Sequence, residues 1–341
     1  MDIGESSGNS IVDSDRTLLE VEDLHVEFRT IDGVAKVLNG VNYRVGRGET
    51  LAVLGESGSG KSVTAQTVMG ILDMPPAVIT GGAVRFHGED LLTAGETRHR
   101  EVRGSGIAMI FQDALSALNP VFTVGFQIEE QLRMRLGMSR KEARVRAIEL
   151  LDLVRIPGAR QRIRDYPHQF SGGMRQRAMI AMSLALDPEL LIADEPTTAL
   201  DVTVQAQIMD LLAEIQQERQ MGLILITHDL AVVAEVADRI AVMYAGRIVE
   251  QADVHALFRA PAHPYTEALM NSLPRLDQKG QVLSTIKGLP PSLLHVPPGC
   301  PFHPRCARAE DRCVDEVPAT HVIGLDRASA CHFAEEVVAR G

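Results

Sequence analysis

Apolar and polar residues alternate with a period close to two at the start of the chain. From Leu18 to Phe28 the alternation predicts a half-buried strand, and Val37 to Val45 reads the same way. The run from Glu49 to Leu54 is a shorter, apolar strand that enters a Gly/Ser-rich loop, Gly55 to Gly60. From Lys61 to Leu72 the apolar positions take helical spacing. Leu190 to Ala193 and Leu223 to Ile226 are buried-strand candidates, and between them Val202 to Arg219 has helical spacing. Strand, helix, strand predicts a parallel βαβ unit. Residues from about 124 to 186 read as mainly helical, and Ser139 to Val154 has the charged and apolar faces of an amphipathic helix. Near residue 260 the pattern breaks, and ten of the 17 prolines lie from Pro261 to Pro318. This predicts a loop-rich appendix rather than a continuation of the α/β core.

Composition narrows the function. The 341 residues include 45% hydrophobic and 23% charged residues, enough for a real core. There is no Trp, aromatics are 4%, and the formal charge is -11, from 34 Lys and Arg against 45 Asp and Glu. Nucleic acid needs a basic footprint and single strands need stacking platforms, so nucleic acid is not expected as a partner. An acidic chain is also a poor electrostatic partner for anionic lipid. No stretch approaches 18 consecutive apolar residues, and the polar start MDIGESSGNSIVDSDR lacks the features of a secretory signal. The expectation is a cytosolic protein with a disordered tail over residues 1–16, attached to any membrane through a protein partner.

Two segments carry chemistry. Gly55, Glu56, Ser57, Gly58, Ser59, Gly60, Lys61 and Ser62 match G-x-x-x-x-G-K-[ST] in full, after a strand and before a helix. The glycines let the backbone turn successive N–H groups toward phosphate oxygens, and the helix start adds its positive end. Lys61 is placed to reach the β- and γ-phosphates and Ser62 to ligate Mg²⁺, with Val63 continuing the nucleotide-binding segment. The strand from Leu190 ends in two acids, Asp194 and Glu195. Such an acid beside a phosphate loop can hold Mg²⁺, and its neighbour can orient or deprotonate the attacking water.

Further segments carry a resemblance. Phe170, Ser171, Gly172, Gly173 and Met174 resemble the LSGGQ signature of ABC ATPases, with Phe170 for Leu and Met174 for Gln. Phe111-Gln112-Asp113 resembles the Q-loop, Thr198-Ala199-Leu200-Asp201 the D-loop, and Ile226-Thr227-His228-Asp229 the H-loop. The resemblance implies an α/β fold: a P-loop NTPase core of ABC type over residues 17–258, with an antiparallel β subdomain and a helical subdomain at about 113–186. It also implies ATP hydrolysis by two such domains closing head to tail, with the signature acting in trans. In that scheme Glu195 polarises water, and His228 contacts the γ-phosphate and links it to Asp201 across the interface. Gln112 senses Mg²⁺, which Ser62, Gln112 and Asp194 hold. An aromatic residue before the phosphate loop stacks on adenine in this family, and Phe28 is the candidate.

The appendix, residues 259–341, points to a branch of the family. His263-Pro264-Tyr265-Thr266 and the segment from Val296 through Cys306 to Cys313 resemble the C-terminal extension of the oligopeptide/dipeptide importer ATPases. The FSGGMRQR form is similar to the first of the two ATPase subunits such importers encode. The implied function is to power uptake of di- or oligopeptides at the cytoplasmic face of the membrane. Implied partners are a second ATPase subunit (a paralogue or a copy), two transmembrane permeases and an extracytoplasmic solute-binding protein. Importers of nickel or another small solute share the extension, and a soluble, non-transport ABC ATPase is the alternative of a different class. Cys300, Cys306, Cys313 and Cys331 are spaced C-x5-C-x6-C-x17-C. Four soft thiolates in a Pro-rich segment suit an iron–sulfur cluster or tetrahedral zinc, with His303, His321 and His332 as substitute ligands. The resemblance favours [4Fe–4S] over Zn²⁺.

Overall fold

The computed structural model describes residues 16–198, 200–272 and 286–340. The expected N-terminal tail, apart from Arg16, and Ala199 of the D-loop-like segment lie outside the described residues. The strands are β1 Thr17–Thr30, β2 Gly33–Gly46, β3 Thr50–Leu54, β4 Ala77–Phe86, β5 Glu89–Asp90, β6 Ile107–Ile110, β7 Leu190–Asp194, β8 Gly222–Thr227, β9 Arg239–Tyr244, β10 Arg247–Asp253, β11 His321–Gly324 and β12 Arg327–Ser329. A four-stranded antiparallel sheet has the order β2-β1-β4-β5. An eight-stranded sheet has the order β11-β12-β10-β9-β3-β8-β7-β6. It is parallel from β9 to β6 and antiparallel from β9 to β11.

The parallel strands read as unbroken apolar runs because both of their faces are covered. Leu51 and Val53 pack under the antiparallel sheet with Ile192, Ile224 and Ile226. Leu191, Ala193, Leu223 and Leu225 point the other way, into the core of the helical region with Leu150, Phe170 and Ile180. Ala52 and Leu54 face a third core with Tyr244, Tyr265 and Phe302. All strands of the parallel set end near the same edge, where the loops that follow β3, β6, β7 and β8 meet.

The helical segments follow local signals. Ser139 caps the helix Arg140–Leu153 in a reciprocal capping box with Glu142. The helix after the phosphate loop, Lys61–Met69, is three residues shorter than its periodicity predicts. Gly70 stops it by taking the left-handed conformation, where a residue without Cβ is unstrained.

One expectation is corrected. The appendix does continue the core: β12 pairs with β10 through Glu250 with Ser329 and Gln251 with Ala328, and β11 adds the outer edge. The helix Pro264–Asn271 begins within the appendix and buries Tyr265 completely. Composition hid this because β12 has three residues and β11 four, both too short to show a period.

Candidate functional site

The fully buried strand β3 delivers the chain into the loop at Gly55. A Cβ on Gly55 would collide with the Met243 carbonyl oxygen and lie 2.8 Å from Ser59 Oγ, so the loop depends on glycine there. Gly60, at φ 107°, would bring a Cβ within 2.8 Å of both Leu38 and Met243. The helix Lys61–Met69 starts with no side-chain cap, which leaves its first N–H groups open to an anion. Ser59 is buried, and its hydroxyl has no hydrogen-bond partner. An unpartnered buried hydroxyl beside open helical amides is what a phosphate would satisfy. Ser57 and Gly58 are exposed, whereas the Val63 side chain packs into the core and leaves only its backbone to face a ligand.

Lys61 is buried, and its Nζ donates to the carbonyl oxygens of Gly55 at 2.8 Å and Glu56 at 3.0 Å. Burial pushes its pKa down, while Glu195, Asp194 and Glu56 push it up. Ser62 Oγ donates to Asp194 Oδ1 at 3.1 Å. Burial raises the Asp194 carboxyl above its usual range, and the Ser62 bond counters this in part. The Mg²⁺ candidates Ser62 and Asp194 are thus already in contact, and both offer oxygen, the donor a hard cation takes.

Glu195 sits past the end of β7 at φ 45°, a left-handed conformation that bends the chain sharply. Its Oε2 accepts from Gln112 Nε2 at 2.9 Å and from Thr198 Oγ1 at 2.9 Å. His228 Nδ1 lies 3.6 Å from Glu195 Oε1. Asp194 ends β7, and Gln112, Glu195 and His228 come from the loops after β6, β7 and β8, so the parallel sheet brings them together. The Thr198 hydroxyl is a contributor that the sequence reading left within the D-loop-like motif without a role.

The signature-like segment divides by exposure. Ser171 and Gly172 are exposed at the start of the helix Gly172–Ser183, and Ser171 Oγ accepts from the Met174 amide at 3.4 Å. Phe170 is buried in the helical core, Met174 packs against it, and a Cβ on Gly173 would lie 2.8 Å from Val204. Phe170 is therefore an anchor for the segment and faces no ligand from within the chain. Asp201 caps the helix Val202–Arg219, accepting from the Val204 amide at 3.0 Å, and is not in hydrogen-bond contact with His228. Phe28 lies on β1 opposite Ala35 and Ala77, half-buried against the core.

Cys300, Cys306, Cys313 and Cys331 are free thiols that line one cavity with His303 and His332. His321 does not line it; it sits exposed on β11, opposite Ser329. Burial pushes Cys300 and Cys331 up to about 11 and raises Cys306 as well. Among the described residues, no three His, Cys, Asp or Glu side chains gather closely enough to hold a metal ion. The four thiols are thus brought to one cavity but not into a preformed site. The soft, four-thiol donor set still fits an iron–sulfur cluster or zinc, provided that ligation draws the thiols inward.

Sequence reasoning missed the contacts behind the phosphate loop. The Glu56 amide donates to the Tyr265 hydroxyl at 2.9 Å, and Arg305 holds the Glu56 carboxylate. Arg305 lies between Cys300 and Cys306, and no local spacing marks it as a partner of the loop.

Comparisons with known proteins agree with this geometry. Residues 38–198 match the family described as "ABC transporter", and residues 249–313 match "Oligopeptide/dipeptide transporter, C-terminal region". The chain is 52% identical over 314 residues to a putative peptide import ATP-binding protein of Brucella abortus, covering 92% of this chain and 94% of that one. It is 48% identical over 316 residues to the dipeptide transport ATP-binding protein DppD of Escherichia coli, covering 93% and 96%. Among solved structures, an ATP-binding cassette in a dimeric post-hydrolysis state with ADP and Pi is similar at TM-score 0.63 and 27% identity, over 70% of this chain and 99% of that one.

Proposed function

This chain belongs to the ABC transporter ATPases, in the branch with the oligopeptide/dipeptide C-terminal region, and we propose that it hydrolyses ATP to power import of di- or oligopeptides. The carrying observation is the Glu195 carboxylate, held by Gln112 and Thr198 at 2.9 Å each, beside His228 and the Ser62–Asp194 pair of the phosphate loop.

The open amides of Gly60 to Ser62 and the free Ser59 hydroxyl receive the β- and γ-phosphates. Lys61 leaves the two loop carbonyls for phosphate oxygen. Ser62, Asp194 and Gln112 are the residues that would hold Mg²⁺, whose charge would offset that of the phosphates. Glu195 accepts a proton from water as the water oxygen attacks the γ-phosphorus and the bond to the β–γ bridging oxygen breaks. His228, 3.6 Å from Glu195, contacts the γ-phosphate. Ser171 and Gly172, exposed at their helix start, serve the nucleotide of a second ATPase domain, copy or paralogue, and Asp201 meets that partner. Phe28 is the candidate to stack on adenine from β1.

Partners fit the surface. No helix among the described residues is long and apolar enough to cross a membrane. Phe111, Val121, Phe122 and Phe126 are all exposed in the stretch from Phe111 to Phe126, which includes Gln112. An apolar patch beside the residue that contacts Glu195 suits a docked permease segment, which would hold the chain at the cytoplasmic face and feel nucleotide state. We also assign the cysteine cavity a [4Fe–4S] cluster, supported by four thiols on one cavity. Bound there, the cluster would cross-link a segment that has little apolar burial of its own.

Glu195→Gln tests the catalytic reading in the assembled complex. ATP binding should persist while hydrolysis falls by about 10²- to 10⁴-fold. Turnover that stays within about threefold of wild type would remove Glu195 from the role. Uptake assays with defined dipeptides, oligopeptides and nickel distinguish the transported class.

A further inference from the structure

The second residue of the phosphate loop is an acid. Glu56 stands next to the place where a triphosphate carries its charge, and an unpaired carboxylate there would repel it. The C-terminal extension meets that carboxylate from behind. Arg305 Nη1 donates to Glu56 Oε2 at 2.6 Å and Nη2 donates to Oε1 at 2.9 Å, a two-pronged ion pair. The Arg305 side chain is only 5% exposed. Its guanidinium lies 5.9 Å from the centre of the Tyr244 ring and donates to the Tyr244 hydroxyl at 3.3 Å. Its Nε donates to the Lys287 carbonyl oxygen at 3.1 Å. Tyr265, buried beside Tyr244 with ring centres 4.6 Å apart, receives the Glu56 amide.

We propose that Arg305 and Tyr265 of the extension are positioning residues of the nucleotide site, which neutralise Glu56, turn its carboxylate away from the phosphates and fix the loop's backbone. The inference rests on the ATP-binding reading above and deepens it: the extension is part of the nucleotide site rather than an appendage to it. Arg305 is the central piece because it alone supplies charge. With both charges in place the pair is neutral behind the loop. With Arg305 removed, the remaining carboxylate faces the incoming triphosphate. With Glu56 also made neutral, the repulsion disappears even though the ion pair is not restored. A purely structural contact behaves otherwise, since losing both partners is then no better than losing one.

The test is ATP affinity by equilibrium titration of the full-length protein with Mg²⁺-ATP, for wild type, Arg305→Gln, Glu56→Gln and the double variant, at low and high salt. Arg305→Gln should weaken binding by about tenfold or more, the size of a lost charge-assisted hydrogen bond. Glu56→Gln should weaken it less, and adding Glu56→Gln to Arg305→Gln should restore most of the affinity. Added salt should narrow the gap between Arg305→Gln and wild type. Turnover at saturating ATP should change far less than affinity. Additive losses in the double variant, or wild-type affinity for Arg305→Gln, would overturn the proposal. If Arg305→Gln does not fold, Arg305→Lys keeps the charge and loses the fork: it should keep most of the wild-type affinity, and a loss of about tenfold or more also overturns the proposal. Failure of wild type to bind ATP would instead reject the underlying ATP-binding reading.

Discussion

At the scale of single residues, burial sets what the charged groups can do. Lys61 is kept inside the loop by two backbone carbonyls until phosphate replaces them, so Lys61→Ala should abolish measurable ATP binding in the same titration that wild type passes. His263 shows burial acting on stability. It is fully buried, and its Nδ1 accepts the Tyr265 amide at 3.0 Å as the cap of the helix Pro264–Asn271. Burial holds its pKa at about 3, against an ordinary 6.5. The unfolded chain therefore takes up a proton at a pH where the folded chain does not. Stability is full above about pH 6.5 and falls as the pH drops toward 3, by about 1.4 kcal/mol per unit. His263→Asn keeps a capping acceptor and loses this proton uptake. Chemical denaturation at about pH 7.5 and 5.5 should show a larger loss for wild type than for His263→Asn. Equal losses would mean that the imidazole is protonated in the fold.

At the scale of elements, short local signals set where each piece begins and ends. The helix Arg140–Leu153 has its capping box, with the Ser139 amide donating to Glu142 Oε2 at 2.9 Å and the Glu142 amide to Ser139 Oγ at 3.3 Å. Ser139→Ala should cost that helix about 1 kcal/mol. Hydrogen exchange of its first-turn amides should quicken by about fivefold, with the parallel strands unchanged. Unchanged exchange in the first turn would show that packing of Ala143, Ala147 and Leu150 holds the helix start without the cap. The parallel strands work differently. Their alternating side chains serve two different cores, so one β-strand joins the antiparallel sheet to the helical region.

At the scale of the whole molecule, the contacts that tie the extension to the nucleotide core include β12 on β10, Tyr265 on the loop amide, and Arg305 on Glu56. The cysteine cavity lies within this same unit. Protein purified without oxygen should carry about four irons per chain, and Cys313→Ser should lose them and expose residues 286–340 to protease. Stoichiometric zinc without iron would make the site a zinc staple, and neither metal would overturn the metal reading.

The phosphate loop, the paired acids and the helix starts are legible along the chain. Each is a contiguous signal: a glycine spacing, an apolar strand ending in carboxylates, the onset of helical spacing in the apolar positions. The sequence also determined the order of strand and helix from Leu190 to Ile226, because two buried strands around one amphipathic helix leave little choice. The tertiary structure alone decided which distant residues share an atom. Thr198 and Gln112 meet on Glu195 only because β6 and β7 are neighbours in the sheet. The edge strands of the appendix were too short to carry a period, and their pairing comes from β10. Arg305 and Glu56 are 249 residues apart, and no local pattern marks either as the other's partner. A buried charge needs a counter-charge at close range, and the fold determines which residue can supply it.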